Sequence, residues 1–317
     1  MKKELMDEIQ KEMQKKLGPM WEMKRETEQE IGGLKEGIVC QFSGDNYASI
    51  LYPQDFERAL DSGTDIKELA EYLTQGLKED REFLLKAPKT QQEFRDALFV
   101  QVINADVNKG LLEETVHDIV NGDVAAVARC RIDTGREDEM ASFLVTKENM
   151  AAFQMTQGEV MEQAYKNMSV SQKFSLQKME DIMKEAMEQA GIPAEMIPDM
   201  SRDGVEMYVL TNPERRNGAS AMVCPEVLRD AYKELGEPFY VLPSSTHELI
   251  LVKESIDMKP EELKQMVHDV NLSEVASEDL LSFQVFHYDG KKLSIAKEDV
   301  QKLSDTVEKV KNHSLLH

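Results

Sequence analysis

Two apolar periodicities alternate along this chain, and their alternation restricts the fold more than any other feature of the sequence. Short apolar runs typical of buried strands, such as VAAVARCRI at 124–132, are separated by segments whose apolar residues recur every three or four positions. The second pattern is that of an amphipathic helix. Strands and helices mixed in this irregular order are typical of α+β proteins. The sequence therefore predicts an α+β fold.

Turn and capping residues indicate where several elements begin. Ser43-Gly44-Asp45-Asn46 separates GIVCQF from YASILY and predicts a β-hairpin. Thr90 to Glu93 and Thr156 to Glu159 have the capping-box pattern, in which a Thr hydroxyl and a Glu carboxylate satisfy the first backbone N–H groups of a helix. The first of these helices is expected to carry three apolar residues at intervals of four, Phe94, Leu98 and Val102.

The length of 317 residues predicts about two domains. We expect an amino-terminal amphipathic helix over 1–30, a first α+β lobe over 31–170 and a second over 171–317, each lobe a small, mainly antiparallel sheet packed with helices. The helix is expected to pack within its own domain through an apolar stripe, Leu5, Ile9, Met13 and Leu17.

The second lobe is predicted to begin with a long helix that carries Leu176 and Met179 and stops at Gly191. VEMYVL, GASAMV, FYVLP and ELILV then read as strands, and Pro225 suits the first turn of a helix that ends before Gly236. A hairpin around Asp289-Gly290 and a carboxyl-terminal helix complete the prediction.

The formal net charge of −22, from 60 acidic and 38 basic residues, limits the partners. Proteins that bind the nucleic-acid backbone gain affinity by replacing phosphate counterions with Lys and Arg, so direct nucleic-acid binding is disfavoured. An acidic surface also repels anionic membranes. No run of about 18 apolar residues occurs, so no membrane span is expected. A solvated acidic surface is the favoured interpretation, and an acidic decoy that mimics DNA is the alternative.

The cysteine pattern favours a reducing compartment. Cys40, Cys130 and Cys224 are far apart, form no CxxC pair and lie in apolar stretches, so we expect them to be reduced and buried. The first residues lack the apolar stretch of a signal peptide, and the cytoplasm is the expected location. The histidines and cysteines do not cluster with ligand spacing, so neither zinc nor another cofactor is expected.

A polar segment between two predicted strands, Pro243 to Glu248, contains the residue types of a hydrolase. Ser244 and Ser245 are weak candidates for a nucleophile, His247 for the base and Glu248 for the acid. Sequence neighbours on one turn seldom reach triad geometry, so the favoured interpretation is that the hydroxyls satisfy turn backbone groups. The hydrolase remains the alternative.

A second polar loop, Thr211 to Gly218, contains Asn212, Arg215 and Arg216 as candidate ligand-binding residues. Two guanidinium groups can hold an anionic ligand or an acidic peptide by charge-assisted hydrogen bonds. The alternative is that both arginines form ordinary surface ion pairs. Because sequential strands are often neighbours, we expect this loop and the segment at 243–248 to lie at one end of the same sheet.

The stretches MYVLTN, NGASAMVCPEVL, FYVLPSSTHELILV and LLSFQVFHYDG resemble an uncharacterised bacterial family that carries a domain of unknown function. That family is frequent in anaerobic Gram-positive gut bacteria, including on mobile elements. The resemblance extends to SILYPQDFERALDSG in the amino-terminal half. It implies a bacterial cytoplasmic protein, an accessory of a mobile element, and it brings no activity, cofactor or catalytic residue with it.

The commonest catalytic signatures are absent from the sequence, including GxxxxGK[ST], GxGxxG, HExxH and GxSxG. The leading hypothesis is therefore a non-enzymatic protein that binds another protein or a small anionic ligand. The hydrolase and the DNA mimic remain the alternatives.

Overall fold

The computed structural model describes residues 2–45, 47–133, 141–171, 173–192, 205–243, 245–256 and 258–296. The elements before residue 146 are α1 Lys2–Leu17, β1 Trp21–Glu30, β2 Gly33–Phe42, β3 Ala48–Leu51, α2 Pro53–Asp61, α3 Ile66–Leu84, α4 Gln91–Ala97, β4 Leu98–Asn104, α5 Lys109–Glu114, β5 His117–Asn121, β6 Val124–Ile132 and β7 Ala141–Leu144. Those after it are α6 Lys147–Ala152, α7 Gln157–Ser171, β8 Ser175–Lys178, α8 Met179–Gln189, β9 Met207–Thr211, a 3-10 helix Gly218–Val223, α9 Pro225–Leu235, β10 Phe239–Leu242, β11 Leu249–Lys253, α10 Pro260–Ser273, β12 Phe286–Tyr288 and β13 Leu293–Ile295. The predicted α+β fold class is confirmed.

The chain divides into two compact units, neither of which is one continuous stretch. The first contains Met1–Phe99, Val107–Val116 and Ala128–Ala164, and the second contains Val100–Asp106, His117–Val127 and Tyr165–His317. The chain enters the second unit for the last time at Tyr165, and the sequence predicts that the second lobe begins at residue 171. The two earlier segments of the second unit were assigned to the first lobe by the sequence.

The first unit contains a three-stranded antiparallel sheet in the order β1–β2–β3. The hairpin of β2 and β3 predicted around Ser43-Gly44 is confirmed. One face of the sheet packs against α1 and α3. Ile9 and Met13 of the predicted apolar stripe are completely buried in this core. The amino-terminal helix therefore packs within its own unit.

The amino-terminal helix is shorter than the 30 residues predicted from the sequence. It ends at Leu17, because Gly18 has a left-handed backbone with φ of 78° and Pro19 follows. Residues 21–30 form β1 instead. Trp21 pairs with Phe42 across the hairpin, with ring centroids 5.6 Å apart, and both rings join the core. This pairing between distant positions overrides the charged, helix-like pattern of the segment.

The outer edge of β1 is covered by side chains of α1. Gln10 Nε2 donates to the Met23 carbonyl at 3.1 Å, and Gln14 Nε2 donates to the Trp21 carbonyl at 3.0 Å. Unpaired edge carbonyls are a template for association with another strand. The two glutamines satisfy them within the chain.

A four-stranded sheet has the order β4–β6–β5, with β7 also paired to β6. The capping box at Thr90 and Glu93 is confirmed, but the helix that it opens ends at Ala97. Leu98 and Val102 lie in β4 and not on a helix, so that prediction is wrong. All seven residues of β4 are buried, and a short run that is apolar throughout cannot be distinguished by its period from a helix segment.

The second unit contains a six-stranded antiparallel sheet in the order β13–β12–β10–β11–β9–β8. Side chains of β11 alternate between its two faces. Leu249 and Leu251 pack with the 3-10 helix and α9, while Ile250 and Val252 pack with α8 and α10. Both faces of the sheet are therefore covered by helices.

Several predictions for the second unit are confirmed. Pro225 opens α9, and Gly236 ends it with φ of 79°. The hairpin at Asp289-Gly290 joins β12 to β13. Two predictions are wrong: Leu176 lies in β8 and not on the helix that follows, and GASAMV forms a 3-10 helix and not a strand. The predicted carboxyl-terminal helix lies outside the described residues.

Buried polar groups attach the two early segments to the second unit. Ser220 Oγ donates to the Val100 carbonyl at 3.1 Å, and Asn104 Nδ2 donates to the Leu281 carbonyl at 3.0 Å. The segment 117–127 is attached to the second unit in the same way, because Ser282 Oγ donates to Asp123 Oδ1 at 2.5 Å. These contacts explain why the segments belong to a unit that is distant in sequence. Within the described ranges, the helices are too short or too polar to span a lipid bilayer.

Candidate functional site

Residues 211–218, which we call the arginine loop, follow β9 and are held by their own side chains. Asn212 is 5% exposed, and both the oxygen and the nitrogen of its side-chain amide form hydrogen bonds with the backbone of Arg216. Its Oδ1 accepts from the Arg216 N–H at 3.1 Å, and its Nδ2 donates to the Arg216 carbonyl at 2.7 Å. The Arg215 N–H donates to the Asn212 carbonyl at 3.0 Å. The buried amide of Asn212 therefore fixes the backbone beneath both arginines.

Two residues of the arginine loop have a left-handed backbone. Arg215 has φ of 49° and Asn217 has φ of 56°. Such a conformation costs a non-glycine residue roughly 1 kcal/mol or more, although Asn tolerates it better than Arg. The contacts around the loop must offset this cost.

Residues 245–248, which we call the histidine segment, supply those contacts. The Ser245 hydroxyl accepts from the His247 N–H at 3.0 Å, which fixes the turn before β11. His247 then meets the arginine loop twice. Its Nδ1 accepts from the Asn217 N–H at 3.3 Å, and its carbonyl accepts from the Thr211 hydroxyl at 2.8 Å.

The other ring nitrogen of His247 contacts a carboxylate. Nε2 lies 3.0 Å from Asp279 Oδ1, and the Thr246 N–H donates to the Asp279 carbonyl at 2.8 Å. Because Nδ1 accepts a hydrogen bond, the neutral imidazole carries its proton on Nε2 and donates it to Asp279. The ring thus links the arginine loop to the turn that contains Asp279.

The two loops meet at one end of the six-stranded sheet, as the sequence predicts. β9 and β11 are antiparallel neighbours, and Leu210 pairs with Leu249. The residues that follow β9 and those that precede β11 are therefore adjacent. The two loops converge because β9 and β11 pair with one another. That the two loops bind a ligand stays a prediction.

Arg215 and Arg216 are both exposed. Among the residues that the structure describes, neither guanidinium forms an ion pair. The backbone of Arg216 is fixed by Asn212, so the two side chains project from a constrained loop. Two arginines without an ion pair in the described part of the chain are unexpected at a net charge of −22, where carboxylates are abundant.

The hydrolase hypothesis is partly met by this geometry. A carboxylate does orient His247, which is what a triad requires of its acid. However, Nε2 faces Asp279 and Nδ1 accepts a backbone N–H, so both nitrogens are engaged. Ser245 accepts from the backbone of His247, Glu248 is half-buried, and Ser244 lies outside the described residues. This arrangement holds a loop and leaves no imidazole lone pair for a serine.

Sequence reasoning missed the two groups that position His247. Asp279 is far along the chain in ASEDLL, a stretch with no motif, and Asn217 acts through its backbone N–H. A backbone donor has no signature in a sequence. Only the presence of a φ-permissive Asn before Gly218 could have indicated an unusual loop conformation.

We expect Asn212→Ala to loosen the arginine loop and to lower the free energy of unfolding by about 2 kcal/mol, because two backbone groups of Arg216 lose their buried partner. Urea denaturation measures this change. Asn212→Asp, which keeps the acceptor for the Arg216 N–H but not the donor, should lie between the wild type and Asn212→Ala. An alanine variant as stable as the wild type would show that the amide does not hold the loop.

The cysteines are free and buried, and their predicted burial is confirmed. Burial raises the pKa of each thiol, Cys40, Cys130 and Cys224, to about 12. A thiol with such a pKa carries almost no thiolate near neutrality and is a poor nucleophile. No group of three or more His, Cys, Asp or Glu residues suited to a metal ion occurs in the described part of the chain.

Comparison with known proteins identifies one family. The model of a family of unknown function, DUF5688, matches residues 2–290 and so covers both loops and Asp279. The resemblance to an uncharacterised family is thereby confirmed. No curated protein and no solved structure matches the chain.

Proposed function

The chain belongs to DUF5688, a family whose function is unknown, and we propose that this member is a non-enzymatic binding protein that recognises an anionic group with the arginine loop. The single observation that carries the proposal is the pair of exposed arginines, which form no ion pair among the described residues although acidic groups outnumber basic ones by 60 to 38. Hydrogen bonds from guanidinium groups to carboxylate or phosphate oxygens are among the stronger polar contacts in proteins.

The loop is preorganised for such a contact. Asn212, Thr211 and His247 fix its backbone without using either guanidinium group. Binding therefore orders only the two arginine side chains, and a low ordering cost leaves more of the interaction energy as affinity.

The net negative charge of the whole molecule favours a partner that is small, or whose negative charge is confined to a short segment. A long polyanion such as nucleic acid would meet the repulsion of a net charge of −22 along its length. An acidic peptide or a small anion needs only the arginine loop. Three free, buried cysteines and the family resemblance support a bacterial cytoplasmic setting for this partner.

We expect Arg215→Ala with Arg216→Ala to weaken binding of sulfate and of a short glutamate peptide by about tenfold, since charge-assisted hydrogen bonds contribute roughly 1.5–3 kcal/mol before exposure reduces them. Isothermal titration calorimetry at low ionic strength measures the affinities. The free energy of unfolding should change by less than about 0.5 kcal/mol, because both side chains are exposed.

A matched control separates the site from the overall charge. Arg229→Ala with Lys233→Ala also removes two positive charges, but from the exposed face of α9 in the same unit. This variant should bind both probes as the wild type does. Equal weakening in the two double variants would show that the arginines act only through the net charge of the protein.

A further inference from the structure

His247 is a titratable side chain that hydrogen-bonds the backbone of the arginine loop. Its Nδ1 lies 3.3 Å from the Asn217 nitrogen, and Asn217 directly follows Arg216. The imidazole is 39% exposed, so solvent protons reach it. A change in its charge therefore occurs at the backbone of the residue that follows Arg216.

Protonation reverses the role of Nδ1. In the neutral ring Nδ1 accepts the Asn217 N–H, and Nε2 donates to Asp279. In the imidazolium both nitrogens donate, so the Nδ1–H and the Asn217 N–H point at one another and need an acceptor between them. An oxygen atom of an anion held by Arg215 or Arg216 is such an acceptor, and the added positive charge attracts it further.

We propose that His247 is a proton-dependent third anion-binding group of the arginine loop, so that anion binding and protonation of His247 strengthen one another. This inference rests on the proposed function of the loop. Thermodynamic linkage makes the coupling reciprocal: if protonation tightens anion binding by some factor, the bound anion raises the proton affinity of His247 by the same factor. The ligand class is an oxyanion, such as a carboxylate, a sulfate or a phosphate group.

The charged neighbours of the imidazole determine the background against which this coupling is measured. Asp279 and Glu278 lie on the turn that meets Nε2, Glu248 follows on the same segment, and the arginine loop contributes Glu214 beside its two arginines. The 3-10 helix that follows the loop has no charged residue. Carboxylates favour the imidazolium and the arginines oppose it, but none of these groups alters the direction of the coupling with a bound anion.

The test uses sulfate, whose charge stays constant over the pH range in which imidazoles titrate. We expect sulfate to bind the wild-type chain about fivefold more tightly at about pH 5.5 than at about pH 7.5, the effect of one unit charge near contact distance in water. NMR spectra of the ring protons should show that saturating sulfate increases the imidazolium fraction of His247 in the wild type. His268, exposed on α10, is an internal control whose ring signals sulfate should leave unchanged.

His247→Gln separates this coupling from the general loss of negative charge as the pH falls. That variant stays neutral, so its sulfate affinity should differ by less than about twofold between about pH 7.5 and about pH 5.5, whatever its affinity at the higher pH. If the imidazolium fraction of His247 is the same with and without sulfate while binding still depends on Arg215 and Arg216, the inference fails and the proposed function stands. If the double arginine variant binds sulfate as the wild type does, the proposed function fails.

Discussion

Gly218→Ala is expected to lower the free energy of unfolding by about 3 kcal/mol, the upper part of the range for overpacked sites. A Cβ atom at this position would overlap the Thr211 hydroxyl and the His247 carbonyl and would lie 3.0 Å from the Asn212 nitrogen. Two of these three are backbone atoms, which cannot move away by a change of side-chain rotamer. The arginine loop and the histidine segment would have to separate, so sulfate binding should fall together with stability.

Urea denaturation measures the loss, and Gly76→Ala is the matched control. Gly76 lies within α3, where an added Cβ meets nothing within 4 Å. Alanine forms helix better than glycine by roughly 1 kcal/mol, so this variant should be slightly more stable than the wild type. A Gly218→Ala variant of wild-type stability would mean that the two loops do not approach as closely as the structure shows.

Phe239→Ala is expected to produce a still larger loss, about 4 kcal/mol. Phe239 is completely buried in β10, near the middle of the six-stranded sheet. Its ring centroid lies 5.3 Å from that of Tyr288 on β12, and both rings belong to the core beneath α9. Removing the ring leaves a cavity in a region packed between a sheet and a helix.

Two further variants test whether burial is the cause. Phe239→Leu keeps most of the volume and should cost less than about 1.5 kcal/mol. Tyr72→Ala removes an aromatic ring that is 76% exposed on α3, and it should change the free energy of unfolding by less than about 0.5 kcal/mol. If Phe239→Ala and Tyr72→Ala have the same effect, the core assignment of Phe239 is wrong.

Local signals in the sequence predicted the elements whose ends depend on nearby residues. The capping box at Thr90 and Glu93 forms because its partners are three residues apart, and Gly236 ends α9 because glycine adopts a left-handed backbone without cost. The same reasoning placed the hairpins. The convergence of the arginine loop and the histidine segment was predicted from the tendency of sequential strands to be neighbours, and the pairing of β9 with β11 produces it.

Where the deciding contact is distant in sequence, local patterns failed. Residues 21–30 look like a charged helix, yet Trp21 becomes part of a strand through its pairing with Phe42. Leu98 and Val102 keep a helical spacing, but they lie in a strand that pairs with β6, a segment more than 20 residues along the chain.

The sequence by itself determined the fold class, the helix starts at Thr90 and Thr156 and the two candidate loops, because each of these depends on residue types and spacings within a short stretch. Only the tertiary structure decided how the loops are held. Asp279 meets His247 through a carboxylate far along the chain, and Asn217 meets it through a backbone N–H that any residue but proline would supply. Neither contact could be predicted from a local sequence pattern, since both depend on which segments lie next to one another in the folded sheet.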